Sequence, residues 1–214
     1  MRKKFLILLV VVLLVVAMNP TTVFATNAIH RDVPYTATGV LTDDEGNNYN
    51  ITGILVGTNQ TNARGAETSA TYRYDIPAEI MASGGSMTEY GNDSAYASTV
   101  YLTIHYLHTD EYPVEYLLQR VSGYWNVSAS NTLVTSSKLS YACTSPGFDQ
   151  NETVIMMPVS NNFNVATGYN QYVPENIPTA MVSAALDLEY AMGTSRKWSF
   201  RLQTTVVQQG VDFF

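Results

Sequence analysis

Cysteine is almost absent from this chain of 214 residues, which contains a single one, Cys143. One cysteine allows no internal disulfide, which leaves a buried, inert thiol or an intermolecular bond. Cys143 alternates with Leu139 and Tyr141, a spacing that puts all three side chains on one face of a strand. We therefore predict a buried, free thiol without a catalytic role, because a nucleophilic cysteine needs a histidine partner.

Positive charge is also scarce. The chain has 11 lysine and arginine residues against 18 acidic ones, for a formal net charge of −7. The basic residues beyond the N-terminus are scattered, and phosphate neutralisation requires clusters of them. This composition excludes a nucleic-acid partner and electrostatic attachment to an anionic membrane surface.

Recognisable catalytic and metal-binding motifs are missing as well. There is no Gly-x-Ser-x-Gly elbow, no His-Glu-x-x-His and no phosphate-binding loop. His105 and His108 are close in sequence, but residues three apart on a strand point to opposite faces. Asp43, Glu45 and Asn47 offer oxygen atoms in a loop without the spacing of a calcium site. We therefore predict no metal, no cofactor and no enzymatic activity.

Long apolar runs are confined to the N-terminus. Arg2, Lys3 and Lys4 precede an apolar run of 13 residues at 5–17, shorter than the about 20 residues of a membrane span. The small-residue motif that ends at Ala25 completes the pattern of a secretory signal peptide. The sequence thus predicts a signal helix in residues 1–25, cleavage after Ala25 and a secreted bacterial protein; a retained anchor is the alternative.

The remaining chain shows a repeated alternation of apolar and polar residues, which is typical of half-buried strands. We count about eleven strands and no helix beyond the signal, apart from one helical turn near Pro77 to Ala82. Short strands at this spacing predict an all-β antiparallel sandwich over residues 26–214, with immunoglobulin-like connectivity, and a barrel as the alternative. A flexible stretch near residues 82–97 is the expected boundary if the domain has two lobes.

The clearest element is a hairpin over residues 180–207. Its even positions are mostly apolar and its odd positions polar, with a Gly-containing turn at 192–196. Both apolar faces must point the same way, and pairing Tyr190 with Trp198 satisfies this condition and places Asp187 opposite Arg201 on the solvated face.

Tyrosine is the one residue in excess, with 15 copies. Aromatic rings on a rigid sheet can stack on sugars or peptides, although tyrosine is also simply favoured in strands. Four tyrosines that lie close together in sequence are the predicted ligand-binding group: Tyr101, Tyr112, Tyr116 and Tyr124.

The sequence therefore predicts a secreted, non-enzymatic β-sandwich that acts through its surface on an unknown cell-surface or envelope partner. A carbohydrate- or envelope-binding module is the first alternative and depends on the tyrosines. A pore-forming β protein is the second, because inserting hairpins need one apolar and one polar face. No stable membrane span is expected after cleavage of the signal.

Overall fold

A computed structural model describes residues 36–59, 67–83, 96–146, 155–194 and 196–208. These residues form two antiparallel sheets of six strands each. The predicted signal helix and cleavage site lie outside the described residues. No helix among the described residues is long and apolar enough to cross a membrane.

The first sheet, here called sheet I, contains the predicted hairpin near its centre. Its strand order is β2-β1-β12-β11-β7-β8. The strands are β1 (Thr36–Thr42), β2 (Asn48–Thr52), β7 (Thr132–Thr144), β8 (Ile155–Pro158), β11 (Met181–Met192) and β12 (Arg196–Gln208).

The second sheet, sheet II, is built around the consecutive antiparallel strands β4, β5 and β6. Its order is β10-β6-β5-β4-β3, and β9 also pairs with β6. The elements are β3 (Ile54–Asn59), β4 (Thr68–Pro77), the short helix α1 (Ala78–Ser83), β5 (Tyr96–His108), β6 (Glu115–Val127), β9 (Asn162–Ala166) and β10 (Val173–Pro174). The strands on either side of residues 84–95 therefore pair with each other, and a lobe boundary in that stretch stays a prediction.

The inner faces of the two sheets share one apolar core, as the alternation predicts. The largest fully buried side chains include Tyr74, Tyr106, Tyr190 and Phe200. Buried tyrosines need partners for their hydroxyls, and two find them on the opposite sheet. Tyr74 donates to the Gln203 carbonyl oxygen at 3.0 Å, and Tyr190 hydrogen-bonds to Ser98 at 3.1 Å. The all-β, sandwich-like fold is thus confirmed.

The predicted hairpin register is also confirmed. Tyr190 pairs with Trp198, and Asp187 pairs with Arg201, whose nearest charged atoms are 3.5 Å apart. The expectation that the polar face is solvated holds only in part. Ser183 and Ala185 point away from the core and are nevertheless fully buried.

Two glycines do not act as the sequence suggests. The alternation predicts two strands, over residues 114–121 and 124–128, with a break at Gly123, yet Gly123 lies inside the continuous strand β6. A Cβ at Gly123 would lie 2.5 Å from the Tyr101 carbonyl oxygen and 2.7 Å from the Phe163 ring, so the glycine permits a close approach. The alternation also predicts one strand over residues 49–57, yet Gly53 separates β2 from β3, which belong to different sheets. A Cβ at Gly53 would lie 2.8 Å from the Tyr74 ring.

Cys143 is free and fully buried, as predicted. Burial raises the pKa of its thiol to about 12, so the reactive thiolate is suppressed at neutral pH. The sulfur lies 3.9 Å from the Tyr116 carbonyl oxygen, in contact with sheet II.

Candidate functional site

Two of the four predicted tyrosines meet on the outer face of sheet II. Strands β5 and β6 pair so that Tyr101 lies directly opposite Tyr124. Their ring centroids are 4.4 Å apart, with an angle of 13° between the ring planes. Tyr124 is 45% exposed and Tyr101 is half-buried, so the stacked pair stands at the protein surface.

The pair is carried by two long, regular strands. Both tyrosines lie within 13-residue strands rather than in loops. Partial desolvation and a hydrogen bond with Tyr101 raise the pKa of Tyr124, so the Tyr124 hydroxyl stays protonated at neutral pH. A preorganised aromatic pair loses little conformational entropy when it binds a ligand.

Polar side chains continue the row of the two rings across the sheet. Arg73, on β4, pairs with Tyr101, and Asn162, on β9, pairs with Tyr124. Asp75 holds the Arg73 guanidinium at 2.9 Å and accepts a hydrogen bond from Thr99 at 3.2 Å. The rings are therefore flanked by a fixed guanidinium on one side and an amide on the other.

A second polar group lies on the same face, next to the tyrosine pair. His105 Nδ1 is 3.1 Å from Glu67 Oε1, and His105 Nε2 is 2.9 Å from Ser122 Oγ. The Arg120 guanidinium lies 2.5 Å from the same Glu67 oxygen. Ser122 and Tyr124 are two residues apart on β6, so their side chains project from the same face, about 7 Å apart.

His105 is neutral at physiological pH. Burial lowers its pKa, and the nearby positive charge of Arg120 lowers it further, while Glu67 acts in the opposite direction. The direction agrees with the geometry, because the side chain of His105 is only 11% exposed.

The other two predicted tyrosines do not join the pair. Tyr116 is only 2% exposed and packs against Tyr106 in the core, so the expectation of an exposed ring is wrong there. The sequence could not show this, because a bulge in the β5–β6 pairing changes which β6 residues face inwards. Tyr112 is 82% exposed but lies in the loop between β5 and β6, beside an open depression of about 410 Å³ lined by residues 109–113 and Glu115.

The two possible metal sites of the sequence do not form. His105 faces outwards to Glu67, whereas His108 packs against Tyr106 and Tyr116, so the pair is divided between the two faces. Among the described residues, no group of three or more histidine, cysteine or acidic side chains is placed to hold a metal ion.

The Asp43 loop is a hydrogen-bonded turn. Asp43 accepts hydrogen bonds from the backbone N–H groups of Glu45 and Asn47, at 3.0 and 2.7 Å, and from the Asn47 side chain at 2.8 Å. The pKa of Asp43 is lowered, mainly by the hydrogen bond from the Asn47 side chain. Its carboxylate is therefore already used within the turn.

Sequence reasoning missed the group formed by Glu67, His105 and Ser122. Alternation alone puts His105 on the same face as Tyr101, and that signal was available. Glu67 and Ser122 lie 38 and 17 residues from His105, so only the pairing of β4, β5 and β6 brings them together.

Comparisons with known proteins give no further assignment. No protein-family model matches the sequence, no curated protein shows significant similarity to it, and no solved structure matches its fold.

Proposed function

We propose that this protein is a secreted carbohydrate-binding module of the bacterial cell envelope, and that the outer face of sheet II is its binding surface. The observation that carries the proposal is the exposed stacked pair of Tyr101 and Tyr124. The apolar face of a sugar ring packs well on a tyrosine ring, because the ring is large, flat and rigid.

The neighbours of the pair favour a sugar over an apolar ligand. Sugar hydroxyls need fixed donors and acceptors beside the ring, and Arg73, Asn162 and the exposed Asn126 supply both kinds. Asn126 follows Tyr124 on the same face of β6. A few oriented polar groups around an aromatic surface are what small-molecule sites use to fix the orientation of a ligand.

Secretion and immunoglobulin-like connectivity stay predictions within this proposal. The pore-forming alternative gains no support from the described strands. The hairpin β11–β12 pairs with β7 on one side and β1 on the other, and its apolar residues fill the core. Its release would break both pairings and expose that core.

A binding assay on insoluble cell-wall polysaccharides tests the proposal. We expect the mature protein to bind, and Tyr124→Ala and Tyr101→Ala to weaken binding by about 30-fold or more, as truncation of an aromatic anchor costs about 2 kcal/mol. Tyr112→Ala is the matched control, because it removes an exposed tyrosine elsewhere on the molecule. If only Tyr112→Ala lost binding, the loop depression would be the site and the proposal would be overturned.

A further inference from the structure

Three side chains on the outer face of sheet II form a continuous hydrogen-bonded chain. Ser122 Oγ lies 2.9 Å from His105 Nε2, and His105 Nδ1 lies 3.1 Å from Glu67 Oε1. Both distances fall within the range in which a general base takes a proton from a nucleophile and a carboxylate orients that base.

The surroundings determine which nitrogen of His105 carries the proton. Glu67 Oε1 can only accept and lies 3.1 Å from Nδ1, whereas the Arg120 Nη2 donor is farther from Nδ1, at 3.3 Å; the shorter contact favours a proton on Nδ1. Arg120 donates to the same oxygen, which holds the carboxylate in place. Nε2 is then the free acceptor for the Ser122 hydroxyl, which is the tautomer required of a general base.

We propose that Ser122 is a nucleophile that hydrolyses esters, with His105 as the general base and Glu67 as the residue that orients it. The arrangement has the roles of a serine–histidine–carboxylate triad, which is recognised by geometry and not by sequence order. This inference departs from the expectation of a non-enzymatic protein, which stays a prediction until the hydrolysis assay below decides between the two. It rests on the proposed function only for the substrate class, an O-acylated saccharide bound on Tyr101 and Tyr124.

The reaction balances with water as the only co-reactant. Ser122 Oγ attacks the ester carbonyl carbon while its proton passes to His105 Nε2. The tetrahedral intermediate collapses, and His105 returns the proton to the leaving sugar oxygen, which leaves an acyl-serine. Water then attacks that ester with His105 as base, and the carboxylic acid and free Ser122 are released.

A donor for the negative oxygen of the intermediate is at hand. Asn164 on β9 pairs directly with Ser122 and is exposed, and directly opposed residues have Cβ atoms about 4.5–5.5 Å apart. Its side-chain amide can therefore reach an oxygen atom bound above Ser122, which is the role of an oxyanion-hole side chain.

The first test uses p-nitrophenyl acetate, an ester without a sugar. We expect slow hydrolysis by the mature protein that rises with pH as His105 loses its proton and levels off above its lowered pKa. The charged groups that face His105 among the described residues are Glu67 and Arg120. Ser122→Ala and His105→Gln should each lower the rate by about 100-fold or more.

Ser199→Ala is the matched control, because Ser199 is an exposed serine on the outer face of sheet I and should keep the full rate. A fluorophosphonate probe, read by mass spectrometry, should label Ser122 and no other serine. No hydrolysis, an unchanged rate in Ser122→Ala, or labelling of another residue would each overturn the inference. Because neither probe contains a sugar, these results are independent of the polysaccharide assay.

Discussion

The outer faces of the two sheets differ in what they offer to a ligand, although both are built on long antiparallel strands. Sheet II presents a stacked tyrosine pair, fixed ion pairs and the Glu67–His105–Ser122 chain. Sheet I also carries an ion pair, between Asp187 and Arg201, but several of its outward-facing residues are small and fully buried: Ser140, Ala142, Ser183 and Ala185. A ligand can contact only exposed groups, and this difference is why we propose that binding takes place on sheet II.

The largest change in stability is expected from the core-facing side of sheet I. Trp198 on β12 is only 3% exposed and packs in the core. Trp198→Ala should lower the free energy of unfolding by about 3–5 kcal/mol, which a thermal or denaturant melt would measure. A variant that melts normally but no longer binds polysaccharide would move the binding surface to sheet I.

The second prediction perturbs the backbone beneath the tyrosine pair. Gly123→Ala places a Cβ against the Tyr101 carbonyl oxygen and the Phe163 ring, so the strands must shift. We expect a loss of about 1–3 kcal/mol in the free energy of unfolding, together with weaker polysaccharide binding. Gly57→Ala is the control, because a Cβ there would only reach Thr71 at 4.0 Å. Equal melting temperatures for the two variants would contradict the close packing at Gly123.

The third prediction concerns acid. The pKa of His105 is lower in the folded chain than its ordinary value of 6.5, so the unfolded chain binds the extra proton more readily. Stability from this group is present above pH 6.5 and is lost as the pH falls through 6.5 towards the lowered value. Replacement by asparagine should flatten the pH dependence of the melting temperature in that window. An identical pH dependence in the His105→Asn variant would show that His105 is not held neutral by burial.

The smallest effect is expected at the ion pair of sheet I. Asp187 and Arg201 are each about one third exposed and lie 3.5 Å apart. Arg201→Ala should change the free energy of unfolding by well under about 1 kcal/mol and leave polysaccharide binding intact. A loss comparable to that of Trp198→Ala would mean that this face of sheet I is more than a solvated surface.

The sequence predicts the fold better than it predicts the site, and the reason is physical. Alternation specifies which residues face the core, so the hairpin register at Tyr190 and Trp198 follows from burial alone. It specifies less well where a strand ends, because Gly123 reads as a break when it in fact makes room for Phe163.

The site depends on contacts between distant residues, which alternation does not encode. The stacking of Tyr101 on Tyr124 requires the register of β5 against β6, and Tyr116 turns inwards only because that register shifts at a bulge. Glu67 joins His105 through a third strand, β4. Their meeting could be found only once the strand order was known.

One measurement tests the assignment of binding to sheet II most directly. The ¹⁵N-labelled protein, residues 26–214, would be titrated with an oligosaccharide prepared from the polysaccharide to which it binds in the assay above. Changes in the amide chemical shifts would be mapped by NMR. We predict that the changes centre on Tyr101, Tyr124 and Asn162 and leave the outer face of sheet I unaffected. Changes centred on Ser183, Asp187 and Arg201 instead, or on the loop around Tyr112, would contradict the account.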